Sequence, residues 1–233
     1  MPLLDHFRPP LSLRRHWHSF HNAWATCLAW DLNSRLPEGY FAEPNVQFGI
    51  EIDVATFEES TPAEVGPGIE WTPPHPSMTI PFSIVTDTVE VAVFDSSAGP
   101  VLAGAIELIS PANKDRPAQR DAFVSKCAAY LQAGVGVMMV DVVTSRGGDL
   151  HHDLLGRLLA PEASTANDRP FCSAYRPVDR QGQVSLDIWH EPLAVGSSLP
   201  VLALCLKGGP CLPIDLEATY ERTCREQRIG DRA

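Results

Sequence analysis

Residues 135–143 form an almost unbroken apolar run of valine and methionine, with Asp141 near its end. A run of this composition is typical of a central strand that other elements cover on both faces. It follows a strand candidate over 101–109 and a helix candidate that begins at Pro117 and ends before Gly134. The order strand, helix, strand predicts a right-handed parallel crossover. This unit places the chain in the α/β class.

Further elements are predicted on both sides of this unit. Trp17, Phe20 and Trp24 recur at spacings of three and four, which predicts a helix over 14–36. Apolar and polar residues alternate over 40–57, which predicts two short strands or a hairpin. Prolines and glycines at 60–78 indicate a loop. Strands are also predicted at 88–95, 171–175, 184–189 and 199–206, and helices at 149–160 and 214–228. Together these elements predict a central mixed β-sheet flanked by helices.

The chain length of 233 residues suits one compact domain. We expect a core over about 14–145 and a C-terminal extension of strands and a closing helix over about 146–233. The first fifteen residues do not resemble a signal peptide, and no run approaches the roughly 20 apolar residues that span a bilayer. We therefore expect a soluble, cytoplasmic protein without a membrane partner, and the oligomeric state stays open.

The net charge of −11 argues against a general, high-affinity nucleic-acid binder. Such proteins carry a basic surplus, because contacts with phosphates supply most of their affinity. Any nucleic-acid contact would need a bound divalent cation or a local basic patch. Lys114, Arg116, Arg120 and Lys126 form one locally basic segment. It is either a phosphate-facing patch or a solvated helix start.

The cysteines and the paired histidines give weaker signals. The six cysteines contain no C-x-x-C pair and no zinc-finger spacing, so we expect buried or half-buried free thiols in a reducing compartment. The adjacent His151 and His152 point in opposed directions and make a poor chelate. We expect both of these histidines at the surface.

Two acidic residues, Asp53 and Glu107, interrupt apolar strands. A carboxylate on a central strand is costly to bury unless it is paired or bound to metal. Two such carboxylates that converge near a lysine are compatible with an Mg²⁺ site, because hard cations prefer oxygen ligands. Two alternatives stay open. Glu51 and Asp53 could form the solvent side of an edge hairpin, and Glu107 could pair with an arginine.

A longer pattern around Glu107 resembles a known family. The block Ser110-Pro111-Ala112-Asn113-Lys114 follows Glu107, then come Lys126, Tyr130 and a strand that ends in Asp141. This pattern resembles an uncharacterised bacterial family known only as a domain of unknown function. That family is similar to restriction-endonuclease-like proteins of the PD-(D/E)XK superfamily. The resemblance covers most of the chain and includes His16-Trp17, Leu36–Tyr40, Leu199-Pro200, Ile214–Leu216 and Tyr220.

The resemblance implies a restriction-endonuclease-like core with a metal site. Asp53 matches the first acid of the superfamily pattern, although Ile52 stands where a proline is usual. Glu107 matches the second acid. The implied metal ligands are therefore Asp53 and Glu107, the implied cofactor is Mg²⁺, and Glu43 is a weaker candidate for an additional acid.

The resemblance also implies a catalytic lysine, which this chain lacks at the usual position. Ile109 stands two residues after Glu107, where the superfamily has lysine. The role would pass to Lys126 on the next helix, which we favour because that helix can point the side chain back at Glu107, or to Lys114. The implied function is that of a diverged Mg²⁺-dependent nuclease or phosphodiesterase. The alternative is a non-catalytic binding or assembly module on the same fold.

Overall fold

The protein is an α/β structure in which helices cover both faces of a mixed sheet, as the sequence predicts. The computed structural model describes residues 1–48, 50–58, 71–81, 101–159 and 167–230, and gives the backbone alone at 45–48, 50–58, 81 and 159. The helices are α1 (Trp17–Asn33), α2 (Pro111–Asp115), α3 (Pro117–Gln132), α4 (Leu150–Leu159) and α5 (Leu216–Glu226). The strands are β1 (Tyr40–Phe48), β2 (Ile50–Glu58), β3 (Met78–Pro81), β4 (Val101–Leu108), β5 (Gly136–Asp141), β6 (Phe171–Arg180), β7 (Gln183–Pro192), β8 (Val201–Cys205) and β9 (Cys211–Asp215).

Within these described ranges, seven strands form one sheet in the order β1-β2-β4-β5-β6-β7-β3. The strands β4 and β5 run parallel, and the other neighbouring pairs run antiparallel. The predicted strand–helix–strand unit is therefore confirmed as β4–α3–β5. Its parallel register pairs Glu107 with Met139, so the C-terminal ends of both strands meet at the same edge of the sheet.

The two faces of the sheet pack against different elements. On one face, α1 and α5 meet in the buried contact of Trp24 with Tyr220, whose ring centroids are 5.3 Å apart, and the β8–β9 hairpin completes this layer. On the other face, α3 and α4 bury Val137 and Met139 of β5. Because successive strand residues point to opposite faces, a strand covered on both sides is apolar over most of its length. This explains the unbroken run at 135–143.

Several element boundaries differ from the sequence prediction. The first helix begins at Trp17 because a 3-10 turn at Leu11–Leu13 precedes it and His16 is extended. The short strand β3, which was not predicted, begins at the last residue of the predicted loop and adds to the edge of the sheet by pairing with β7. The strand β9 was missed: the closing helix starts only at Leu216, where the Asp215 side chain accepts a hydrogen bond from the Ala218 N–H. The predicted strand at 88–95 lies outside the described residues.

The expectation that all six cysteines are free thiols is wrong for two of them. Cys205 and Cys211 form a disulfide. They are opposite each other in the register of the β8–β9 hairpin, and a separation of six residues gives no C-x-x-C signal. The other four cysteines are buried and form no disulfide in the part of the chain that the structure describes.

Candidate functional site

Glu107 and Lys126 form an ion pair in the interior of the protein. The Lys126 Nζ on α3 lies 2.8 Å from the Glu107 Oε2 near the end of β4. Glu107 is 1% exposed and Lys126 is 7% exposed. The ammonium also lies 5.2 Å from the centroid of the Phe123 ring, a favourable cation–π distance. The prediction that Lys126 points back at Glu107 from the following helix is confirmed, and the partner of Glu107 is a lysine rather than an arginine.

A second buried ion pair joins Lys114 to Asp141 on the neighbouring strand. The Lys114 Nζ lies 2.7 Å from the Asp141 Oδ2, and both side chains are fully buried. The Val143 N–H donates to the other carboxylate oxygen at 2.9 Å. Burial raises the pKa of Asp141, and the Lys114 ammonium opposes this shift. Lys114 therefore binds Asp141 and not Glu107.

The short helix α2 places Lys114 in the interior. Ser110 caps the helix: both its N–H and its Oγ donate to the Asn113 Oδ1 at 2.8 Å. Pro111 occupies the first helical position, where a missing N–H costs nothing. The Ser-Pro-x-Asn-Lys block is thus a capping box with proline. Its physical role is to fix the start of α2 and the direction of the lysine that follows.

The two ion pairs lie in one layer of the structure, between the sheet and the helices α2 and α3. Glu107 pairs with Met139 in register, and Asp141 lies two residues beyond Met139. Paired residues and residues two apart point to the same face of a sheet, so both carboxylates face the helices. We call Glu107, Lys114, Lys126 and Asp141 the charge cluster. Its two cations and two anions give it no formal net charge.

Tyr130 borders the charge cluster one helical turn after Lys126. Residues four apart lie on the same side of a helix, and Tyr130 packs near Ala105, two residues before Glu107 on β4. Its hydroxyl is buried and has no hydrogen-bond partner among the described residues. Burial and then the charge of Glu107 raise the pKa of this phenol. Neither Tyr130 nor Asp141 was singled out as a site residue from sequence, although the spacing from Lys126 and the end of the apolar run were available signals.

The backbone of Asp53 lies beside that of Glu107 on the adjacent strand. Val54 of β2 pairs with Ile106 of β4 in antiparallel register, so positions 53 and 107 are each one residue beyond this pair on adjacent strands. The side chain of Asp53 lies outside the described part of the chain. Glu43 is exposed on β1, which β2 separates from β4, so it does not join the charge cluster.

Carboxylates are suitable ligands for a hard cation, but the described side chains supply too few of them here to complete a site. These contain no group of three or more His, Cys, Asp and Glu placed to hold a metal ion. Glu107 would supply one carboxylate. A divalent cation takes six or more oxygen ligands, so Asp53 and water would have to supply others.

The basic segment does not form one surface. Lys114 and Lys126 are buried in the charge cluster. Arg116 is exposed before the start of α3, and the Arg120 Nε lies 3.8 Å from the Asp153 Oδ2 of α4. The interpretation of all four residues as a phosphate-facing patch is therefore wrong, because tertiary packing turns two of them inward.

Comparison of the chain with family models, with curated proteins and with solved structures finds no match. The described helices include none long and apolar enough to cross a membrane.

Proposed function

We propose that the protein is a metal-dependent phosphodiesterase of nuclease type on a diverged restriction-endonuclease-like core. The observation that carries this proposal is the contact of the Lys126 ammonium with the Glu107 carboxylate at 2.8 Å. This contact supplies the acid and the lysine that such a site needs, with the lysine on a helix and the acid on a strand. Asp53 and Glu107 would hold Mg²⁺, and Lys126 would position the attacking water or stabilise charge on the phosphate. The resemblance of the Ser110–Lys114 block supports the same assignment.

The ion pair gives the lysine a specific relation to the metal. A cation held by Glu107 would compete with the Lys126 ammonium for this carboxylate. Lys126 would then be available to an anionic substrate. Mg²⁺, when bound, would supply a Lewis acid, and Lys126 would supply a positive charge that Glu107 otherwise balances.

Nucleic acid is the proposed substrate class, with affinity that depends on the metal. The overall charge of −11 opposes a polyanion. Of the basic segment, Arg116 and Arg120 remain at least partly exposed and could contact phosphates beside the site.

Calorimetric titration with Mg²⁺ and with Mn²⁺ tests the metal site. We expect binding to the native protein and a tenfold or larger rise in Kd in Asp53→Ala and in Glu107→Gln, equivalent to about 1.4 kcal/mol or more. Asp187→Asn is the matched control, because Asp187 of the distant strand β7 is a buried carboxylate that is paired with Arg180 of β6. No binding, or equal binding in all variants, would contradict the proposal.

Lys126→Met separates metal binding from chemistry. This variant removes the competing ammonium, so its metal affinity should equal or exceed that of the native protein. Its cleavage of plasmid, single-stranded DNA and RNA should fall to background. Cleavage at the native rate would rule out a catalytic role for Lys126.

A second candidate function is a non-catalytic binding or assembly module on the same fold. The observation that favours it is the mutual neutralisation of Glu107 and Lys126, both of which are nearly inaccessible to solvent. In that case neither metal binding nor cleavage occurs, and Glu107→Gln only lowers stability.

A further inference from the structure

A second cluster of polar side chains lies between α4 and the β6–β7 hairpin. His151, expected at the surface, is 5% exposed. Its ring stacks on that of His190 of β7, with centroids 4.3 Å apart and planes inclined by 20°. A cavity of about 350 Å³ borders both rings, and Met78 and Ile188 form part of its wall.

Buried hydroxyl groups hold both imidazoles through their Nδ1 atoms. The Tyr175 hydroxyl lies 2.6 Å from the Nδ1 of His151, and the Ser173 Oγ lies 2.8 Å from the Nδ1 of His190. Ser173 and His190 are opposite each other in the β6–β7 register, and Tyr175 lies two residues further on the same face. The register of the β6–β7 pair therefore fixes the two hydroxyls next to the two rings.

This arrangement accommodates neutral rings and disfavours charged ones. His151 lies in the first turn of α4, where the helix dipole disfavours a cation, and two imidazolium rings at 4.3 Å would repel each other. Burial and then the neighbouring His190 lower the pKa of His151 to about 4. Burial lowers the pKa of His190, while Asp149 and Glu191 oppose this shift. The titratable groups that face the pair are Asp149 and His152 of the α4 start, Tyr175 of β6, Glu191 of β7 and, behind Tyr175, Cys127 of α3.

We propose that the His151–His190 stack is a proton-operated latch that holds the N-terminal turn of α4 on the β6–β7 hairpin. Uptake of a proton by either ring breaks the stack, releases this turn and opens the adjoining cavity. Asp149, which caps the helix by accepting the His152 N–H at 2.9 Å, moves with the turn. The latch does not depend on the proposed phosphodiesterase function.

Hydrogen exchange of residues 149–158, measured from pH 7.5 to 4.5 and corrected for intrinsic rates, tests the latch. The closed state disfavours protonation of the two imidazoles. Protection of the α4 amides is therefore complete above pH 6.5, the ordinary pKa of histidine, and falls as the pH falls. We expect a loss of about tenfold in protection for each pH unit when one proton is taken up. Residues 136–141 of β5 report global unfolding, and the latch requires α4 to stay less protected than β5 over the whole pH range.

Two variants test whether the paired rings cause this dependence. His190→Gln and His151→Gln should each reduce the pH dependence of α4 protection, whereas His16→Gln, which changes an exposed histidine, should leave it unaltered. Equal dependence in all three variants would overturn the proposal.

Titration of the native protein by NMR keeps the test valid if a variant does not fold. The latch requires the two ring signals to titrate below pH 6.5, together with a change in the α4 amides. Independent titration near pH 6.5 without any change in α4 would also overturn it.

Discussion

At the scale of single residues, two buried lysines each pair with a buried carboxylate. Moving a lone charge out of water costs several kcal/mol, and a close partner offsets this cost only in part. The pairs Lys126–Glu107 and Lys114–Asp141 both meet the distance that such compensation requires. A buried ion pair is therefore weak evidence for stability. Its position beside the Tyr130 hydroxyl, which has no hydrogen-bond partner among the described residues, makes this region a candidate site.

Breaking one pair should cost more stability than removing both of its charges. Glu107→Gln removes the carboxylate that lies 2.8 Å from the buried Lys126 ammonium, and we expect a loss of about 3–5 kcal/mol. Glu107→Gln combined with Lys126→Met removes both charges and should recover most of this loss. Urea denaturation measures the difference. Equal destabilisation in the single and double variants would contradict a charge-based cause.

The sequence identified some of these residues and missed others for a physical reason. Glu107 is recognisable because it interrupts an apolar strand, and Lys126 because it follows on the next helix. The partner of Lys114 is not recognisable, because Asp141 becomes its neighbour only when β5 lies parallel to β4. The role of Asp53 stays a prediction, since its side chain lies outside the described residues.

At the scale of elements, the β8–β9 hairpin packs closely on the centre of the sheet. A Cβ atom at Gly136 of β5 would lie 1.9 Å from the backbone oxygen of Cys205 on β8. Backbone cannot yield to such a contact in the way that a flexible side chain can. The absence of a side chain at position 136 therefore permits this packing.

Gly136→Ala should consequently destabilise the protein. Overpacking typically costs about 1–3 kcal/mol, and this contact falls on backbone, so we expect at least the upper end of that range in thermal or urea unfolding. Gly156→Ala is the control, because a Cβ there meets nothing within 4 Å and alanine favours the helix α4 by about 1 kcal/mol. Similar effects of the two substitutions would disprove the close approach.

The disulfide should stabilise the hairpin by a modest amount. Cys205 and Cys211 close a loop with a sequence separation of 6, and loop entropy for so short a loop is worth about 2 kcal/mol. Alkylation of the unfolded protein should label four thiols without reductant and six with it, as mass spectrometry can count. Six labelled thiols without reductant would show that the bond is absent.

At the scale of the whole molecule, the chain start is tied to its closing helix. The Met1 ammonium lies 2.6 Å from the Glu217 Oε1 of α5, and the His6 Nε2 lies 2.8 Å from the Tyr220 hydroxyl. Burial lowers the pKa of His6 to about 4. The protein thus carries buried neutral histidines on both faces of its sheet, at His6 on one and at His151 on the other.

Global stability should fall as the pH drops below about 6.5. A histidine whose pKa is lower in the folded state contributes its full stabilising free energy above its unfolded pKa of 6.5. This contribution is lost as the pH falls toward 4. Each of His6 and His151 can account for roughly 3 kcal/mol over this window. Urea midpoints from pH 7.5 to 4 measure the slope, which His6→Gln should reduce and His16→Gln should not. A flat profile would show that the buried rings do not control stability in this window.

The sequence by itself determined the α/β class and the β4–α3–β5 unit, because periodicity and composition act along the chain. The expectation that Lys126 lies near Glu107 came from the family resemblance. Only the tertiary structure decided which charges meet. Register across β4 and β5 brought Asp141 to Lys114, the β8–β9 hairpin joined Cys205 to Cys211, and packing of α4 buried His151. These contacts join residues on elements brought together by packing, so local sequence patterns carry no record of them.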